Sequence, residues 1–321
     1  MCGTLPTMAA HVGIRVRTAL AILVTAGSLL AWRPSAGQAR ATAEPLSPSV
    51  VPRLANDLAS ASAAVPGSAA VPGEDVEPGS TSCTDLQVSR LAVPDGGGHR
   101  TVEVVRLPGP DSAAVPVLYF LHGFPGSPTS VAPTAEGLVR DACRTGHRLV
   151  VALPDGTAGS RDTEWGDDVD GSVDLETFVT TAAINAVEGA ARRPASLRII
   201  GGFSMGGFGA AAIGLRHPSL FTRVLAVAGY FHLDDPDRVF GTAEVQRSAE
   251  SPDHLIRAGS PQRFFLVDGA QDPLTLVHGE SQRFADLLHS KGLPVQLFRP
   301  PGGHSLRVID PILTPLLNFL A

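Results

Sequence analysis

Eight short apolar runs punctuate the chain from residue 86 to residue 300. They are LQVSRLAV (Leu86–Val93), TVEVVRL (Thr101–Leu107), VPVLYFLH (Val115–His122), RLVVALP (Arg148–Pro154), LRIIGGF (Leu197–Phe203), RVLAVAG (Arg223–Gly229), RFFLVDG (Arg263–Gly269) and VQLFRP (Val295–Pro300). Most are continuous rather than alternating, which is the pattern of strands buried on both faces of a parallel sheet. Helical stretches lie between the later runs, at Ala132–Arg144, Leu175–Ala191, Gly206–His217 and Leu276–Lys291. A last helix starts near Ser305, and Pro311 and Pro315 kink or split it. The opening runs have no helix between them and pair antiparallel. Strand–helix alternation after that calls for right-handed crossovers. The expected fold class is α/β, with about eight mostly parallel strands and helices on both faces.

The residues before Cys83 do not fit that pattern. Arg15 and Arg17 precede Thr18–Trp32, which is 15 residues without a charge, and Ala39 and Ala41 follow among small residues. A basic start, a short apolar core and an A-x-A site are the parts of a secretory signal peptide. Residues 1–41 are therefore expected to be a leader cut after Ala41. The apolar core falls short of the roughly 20 residues that span a bilayer, so no stable membrane span is expected after cleavage. Residues 42–82 are rich in Ala, Pro, Ser and Gly. They offer few large side chains to offset ordering entropy and read as a disordered linker. Residues 83–321 are the expected catalytic domain. Cys83 and Cys143 remain after leader removal, an even number in an oxidising compartment, and one disulfide is expected between them. The formal charge of −6 argues against a nucleic-acid partner, because phosphate binding needs a basic surface.

GGFSMGGFGA, residues 201–210, sets one serine among five glycines at the junction of a strand and a helix. Within it GFSMG fits G-x-S-x-G, whose sharp turn lifts the serine above the sheet edge. The turn crowds positions two before and two after Ser204, which calls for glycine at 202 and 206. Gly207 and Gly209 are expected to let the helix pack closely on the sheet. The helix N-terminus aims free amides and a positive dipole end at the same place.

A serine hydroxyl needs an adjacent base to act as a nucleophile. In this architecture the chain order is Ser, then acid, then His. His278 and His289 fall in an expected amphipathic helix and read as solvated. His304 sits in RPPGGHSL, a loop between the last strand and the last helix, and is the expected base. RFFLVDGAQDPL offers two acids. Asp272 lies in the loop and is expected to orient His304, while Asp268 is expected to brace the loop through backbone hydrogen bonds. The oxyanion donors are expected to be the backbone amides of Met205 and of Phe124 in LHGFPGS. His122 reads as loop support at the edge of the pocket. No cofactor and no metal are expected.

These residues resemble the α/β-hydrolase fold. More narrowly they resemble the "putative esterase" family of esterase D, feruloyl and acetyl-xylan esterases and mycolyltransferases. The resemblance covers roughly residues 102–320. It rests on LHGFPGS, VVALPDG (Val150–Gly156), Glu164-Trp165, GGFSMGGFGA, GAQDPL and GGHS. It implies a Ser204, Asp272 and His304 triad, with Phe124 and Met205 as donors. His122, Asp155 and Trp165 are the candidates at the substrate pocket, Asp155 because PDG borders the cleft in that family. The implied function is a secreted serine esterase, extracellular or associated with the cell wall. Its substrate would be a small-molecule, lipid or polysaccharide ester. An acyltransferase to a sugar or other alcohol would use the same intermediate. A non-catalytic exported binding protein fits less well, because a candidate is present for every catalytic role. The segment Tyr230–Ala258 is expected to wall the acyl or alcohol side.

Overall fold

The computed structural model of the protein describes residues 82–110 and 112–321. The expected leader, and the expected linker apart from Ser82, lie outside them. One eight-stranded sheet runs in the order β1-β2-β4-β3-β5-β6-β7-β8. β1 (Gln87–Asp95) and β2 (Gly98–Arg106) form an antiparallel hairpin, and β2 pairs antiparallel with β4 (Val150–Pro154). β3 (Val117–Leu121), β4, β5 (Arg198–Phe203), β6 (Arg223–Val227), β7 (Arg263–Val267) and β8 (Val295–Phe298) run parallel.

Every residue of β3, β4 and β6 is buried, which is why their runs are apolar throughout. Successive side chains enter opposite cores. Val117, Tyr119 and Leu121 point to one core, and Leu118 and Phe120 to the other. The helices are α1 (Pro128–Arg144), α2 (175–188), α3 (Met205–Arg216), α4 (Glu244–Glu250), α5 (Pro252–Leu255), α6 (Glu280–Ser290) and α7 (Leu313–Leu320). α1 and α7 cover one face of the sheet; α2, α3 and α6 cover the other.

Local features shape three of the helices, and α6 starts at Glu280, four residues later than expected. α1 begins at Pro128, earlier than expected, because a proline in the first turn lacks an N–H that the turn would not use. The Ser127 N–H also donates to Ser130 Oγ (3.3 Å) at that end. The middle of α2, Phe178–Ala183, is wound as a π-helix. There the Thr180 and Thr181 hydroxyls donate to the carbonyls of Glu176 (2.8 Å) and Thr177 (2.5 Å). The last helix is split, as expected, with Pro311 held in a 3-10 segment, Leu306–Ile312, that precedes α7.

Two tethers fasten segments outside the sheet. The first is the expected disulfide, Cys83–Cys143, which joins the segment before β1 to the end of α1 with a Cα–Cα distance of 5.6 Å. The second fixes the loop after β4. Trp165 is fully buried, and its Nε1–H donates to the His122 carbonyl (2.9 Å). Beside it the Tyr230 hydroxyl donates to Glu164 Oε2 (2.5 Å) and the Asp235 N–H reaches Oε1 (3.4 Å). Burial, with the Asp162 charge nearby, pushes the Glu164 carboxyl up to about 8.

Both tethers are testable. The Cys83→Ser/Cys143→Ser variant should lose about 2–4 kcal/mol of unfolding free energy, read from urea unfolding under oxidising conditions. An unchanged midpoint would mean the crosslink constrains nothing. Glu164 binds its proton more tightly in the folded protein than in the unfolded chain. Its contribution to stability is therefore present at acid pH and is lost as the pH rises from 4.5 toward 8. Glu164→Gln should flatten that decline and raise the melting temperature at pH 8 relative to the parent. An identical slope in both proteins would reject the buried, protonated Glu164.

Candidate active site

Ser204 joins β5 to α3 with φ 57° and ψ −119°, outside the usual range for a residue with a side chain. Its N–H donates to the Val227 carbonyl (2.9 Å), which ties the turn to β6. A Cβ on Gly202 would lie 2.2 Å from the Gly206 oxygen, and a Cβ on Gly206 would lie 2.2 Å from the Leu121 oxygen. Both clashes are with backbone, so the two flanking glycines are obligatory, as expected. Gly207 faces Gly229 on the next loop, with 3.0 Å from its ideal Cβ to Gly229 Cα. Gly209 differs from expectation. Its ideal Cβ lies 2.5 Å from the Trp165 side chain, so it admits the β4 loop onto α3 rather than α3 onto the sheet.

The three candidate triad residues meet. The Ser204 hydroxyl donates to His304 Nε2 (2.9 Å), and His304 Nδ1–H donates to Asp272 Oδ2 (2.8 Å). An ionised carboxylate only accepts, which assigns the ring proton to Nδ1 and leaves Nε2 free to accept. The other Asp272 oxygen accepts from the Leu274 N–H (3.0 Å). Asp272 is buried, and His304 packs its ring on Phe203, with centroids 4.8 Å apart.

The loops carrying the acid and the base are zipped together. Ala270 N–H donates to the Pro300 carbonyl (2.9 Å) and Gln271 N–H to the Gly302 carbonyl (2.9 Å). The Gly302 N–H donates in return to Gln271 Oε1 (2.6 Å). A Cβ on Gly269 would lie 2.5 Å from the Gly302 oxygen, so the close approach needs glycine there. Sequence reasoning missed Gln271, because an amide in a polar loop carries no signal until its partner loop is known.

Asp268 meets its expectation through its backbone alone. Its carboxylate is fully buried and makes no hydrogen bond; the nearest cation, Arg299 Nε, is 3.6 Å away. Burial raises its pKa. Only its backbone braces the loop, through N–H donation to Phe298 (3.0 Å). His278 and His289 are exposed, as expected for solvated positions.

The amides of Phe124 and Met205 take no part in any hydrogen bond among the described residues. Met205 is the first residue of α3, where amides lack helical partners. An ideal Cβ on Gly123 lies 3.1 Å from Ser204 Cβ, so the turn carrying Phe124 presses against the nucleophile candidate. Phe124 and Met205 line one small recess of about 70 Å³. Two unpaired donors beside a hydroxyl are suited to charge developing on a carbonyl oxygen.

The pocket candidates divide. His122 borders the recess but is buried. Gly156 N–H donates to its Nε2 (3.0 Å), and its Nδ1–H donates to the Gly123 carbonyl (2.9 Å). Both nitrogens are used by a neutral ring, and burial pushes its pKa below the ordinary histidine value. It fastens two loops. Asp155 accepts from Thr157 N–H (3.0 Å) and lies 4.0 Å from His122, so it caps its own turn. Trp165 is overturned as a pocket residue: the ring is buried against Gly156 and Gly209. Tyr230–Ala258 likewise walls no cleft at the site. It packs on the β4 loop, with Val169 N–H donating to Val239 (2.9 Å) and Asp162 N–H to Asp237 Oδ2 (2.6 Å). The open cleft, about 800 Å³, is bounded instead by Phe124, Phe203, His304, α1 and the 3-10 segment.

Comparison with known proteins places the chain in a family. The family model described as "Putative esterase" matches residues 97–295. A search of curated proteins gave no significant match. Among solved structures, a ferulic acid esterase is 21% identical with a TM-score of 0.60, over 74% of this chain and 97% of its own. An S-formylglutathione hydrolase from Agrobacterium tumefaciens is 20% identical with a TM-score of 0.60, over 73% and 94%. FphF, a fluorophosphonate-binding serine hydrolase of Staphylococcus aureus, is 17% identical with a TM-score of 0.59, over 74% and 98%. These likenesses establish the fold, and the family match covers well over half of the chain: it belongs to the "Putative esterase" family and is an ester hydrolase of the α/β-hydrolase fold.

Proposed function

We propose that the protein is a secreted serine esterase working through an acyl-enzyme. The observation that carries this is the unbroken relay from Asp272 to His304 (2.8 Å) to Ser204 (2.9 Å). Ser204 Oγ attacks the ester carbonyl as His304 Nε2 takes its proton. The oxyanion accepts from the amides of Met205 and Phe124. Asp272 holds the tautomer and stabilises the imidazolium without taking its proton. The intermediate collapses as His304 returns the proton to the alcohol oxygen. Water then repeats the sequence and frees the acid. The open cleft gives water access to the acyl-enzyme. Export is supported by the leader-like start and by the disulfide, and no helix among the described residues is long and apolar enough to cross a membrane.

The test is turnover of 4-nitrophenyl acetate by the full chain and by Ser204→Ala. The variant should lose roughly 10³–10⁶ in kcat with an unchanged circular dichroism spectrum. Retention of most activity would reject Ser204 as the nucleophile. Product analysis with trehalose present should give free acid; predominant acyl-trehalose would replace the hydrolase reading with a transferase.

A further inference from the structure

The cleft beside His304 does not end at the catalytic residues. It continues as a trough between α1 and the 3-10 segment that follows His304. On the α1 side it follows one face of the helix through Ser130, Thr134, Gly137 and Asp141. Eleven residues of helix rise about 16 Å, so the trough is several times longer than an acetyl group. Its floor is apolar: Phe203, Val131, Leu138, Ile309 and Leu313. Polar side chains of Ser130, Thr134, Asp141, Ser305, Arg307 and Asp310 stand along it.

Gly137 is the informative residue. Glycine in a helix interior is destabilising relative to alanine. Elsewhere in this protein such glycines are explained by a neighbour that a Cβ would strike. At Gly137 a Cβ would meet nothing within 4 Å. No packing partner requires its absence; what its absence does is deepen the trough midway along α1.

The direction of proton transfer says which part of an ester lies there. His304 must deliver its proton to the departing oxygen, so that oxygen sits on the His304 side of the tetrahedral carbon. The carbonyl oxygen is taken by the amides of Phe124 and Met205, which border a separate small recess. The trough is lined by His304 and the segment after it, with Gly123, Phe124 and Pro125 at the same end of the cleft. We propose that the trough between α1 and the segment after His304 is the subsite for the alcohol portion of the substrate, and that it takes an extended, mainly apolar alkyl chain. The inference rests on the esterase reading above. When the intermediate collapses, the bond from the carbonyl carbon to the alcohol oxygen breaks. The His304 Nε2 proton passes to that oxygen, and the neutral alcohol leaves along the trough while the acyl group stays on Ser204.

The experiment uses the full chain with two ester series. Ethyl, butyl, hexyl and octyl acetate vary the alcohol. 4-Nitrophenyl acetate, butyrate and octanoate vary the acyl group at a fixed alcohol. Each methylene that becomes buried should raise kcat/KM by about two- to fourfold, so the alkyl acetates should climb at least tenfold from ethyl to octyl. Gly137→Leu should abolish that climb, so that octyl acetate turns over no faster than ethyl acetate. Gly137→Ala should blunt the climb and raise the melting temperature, because alanine favours the helix. A flat alkyl series, or a climb that survives in Gly137→Leu, overturns the assignment and leaves the esterase reading intact. Loss confined to the nitrophenyl acyl series overturns it in favour of an acyl subsite. Turnover of no ester in either series would sink the esterase reading, and this proposal with it.

Discussion

The site depends on one backbone turn. Ser204 is held in a conformation that a residue with a side chain avoids, at a cost of about 1–3 kcal/mol. That strain persists because the surroundings leave no alternative. The Ser204 N–H is fastened to β6, and Gly202 and Gly206 let backbone pass where a single methyl group would collide with carbonyl oxygens. The reward is placement. The hydroxyl stands above the sheet edge, an amide of the helix N-terminus stands next to it, and the β3 loop presses in from the side.

The parallel sheet does the remaining assembly. Strands β3, β5, β7 and β8 deliver their following loops to the same edge, so Phe124, Ser204, Asp272 and His304 converge from distant parts of the chain. Backbone bonds between the loops after β7 and β8 then set the acid and the base in register. Beneath them His122 and Trp165 bind the β3 loop to the β4 loop. The floor of the site is thus a packed layer of hydrogen-bonded loops, while the reacting groups stand in the open cleft above it.

Sequence reasoning went far where chemistry is local. Continuous apolar runs announce buried strands, since both faces of the sheet are covered. Glycines around a lone serine announce a crowded turn. The single histidine in a loop after the last strand has few alternatives. Where the outcome depended on a partner elsewhere in the chain, the reading faltered. Trp165 was expected at the pocket through the family resemblance that the Glu164-Trp165 pair helps to carry. Its indole N–H instead finds a buried carbonyl, and two glycines make room for its ring. Asp272 was separated from Asp268 by its place in the loop, and His304 meets it; what the sequence did not carry is that the Asp268 carboxylate is buried without a hydrogen bond. The walls of the cleft were misplaced for the same reason: the insertion after β6 has bulk, but α1 and the chain after His304 have the proximity.

The central claim is that the imidazole of His304 makes one hydroxyl, and no other, reactive. Treatment with a fluorophosphonate probe, followed by intact-mass analysis and peptide mapping, reads this directly. The account predicts a single adduct on the peptide containing Ser204, formed rapidly in the parent and very slowly in His304→Ala. An adduct on a different residue, or equal labelling rates in the two proteins, would contradict it.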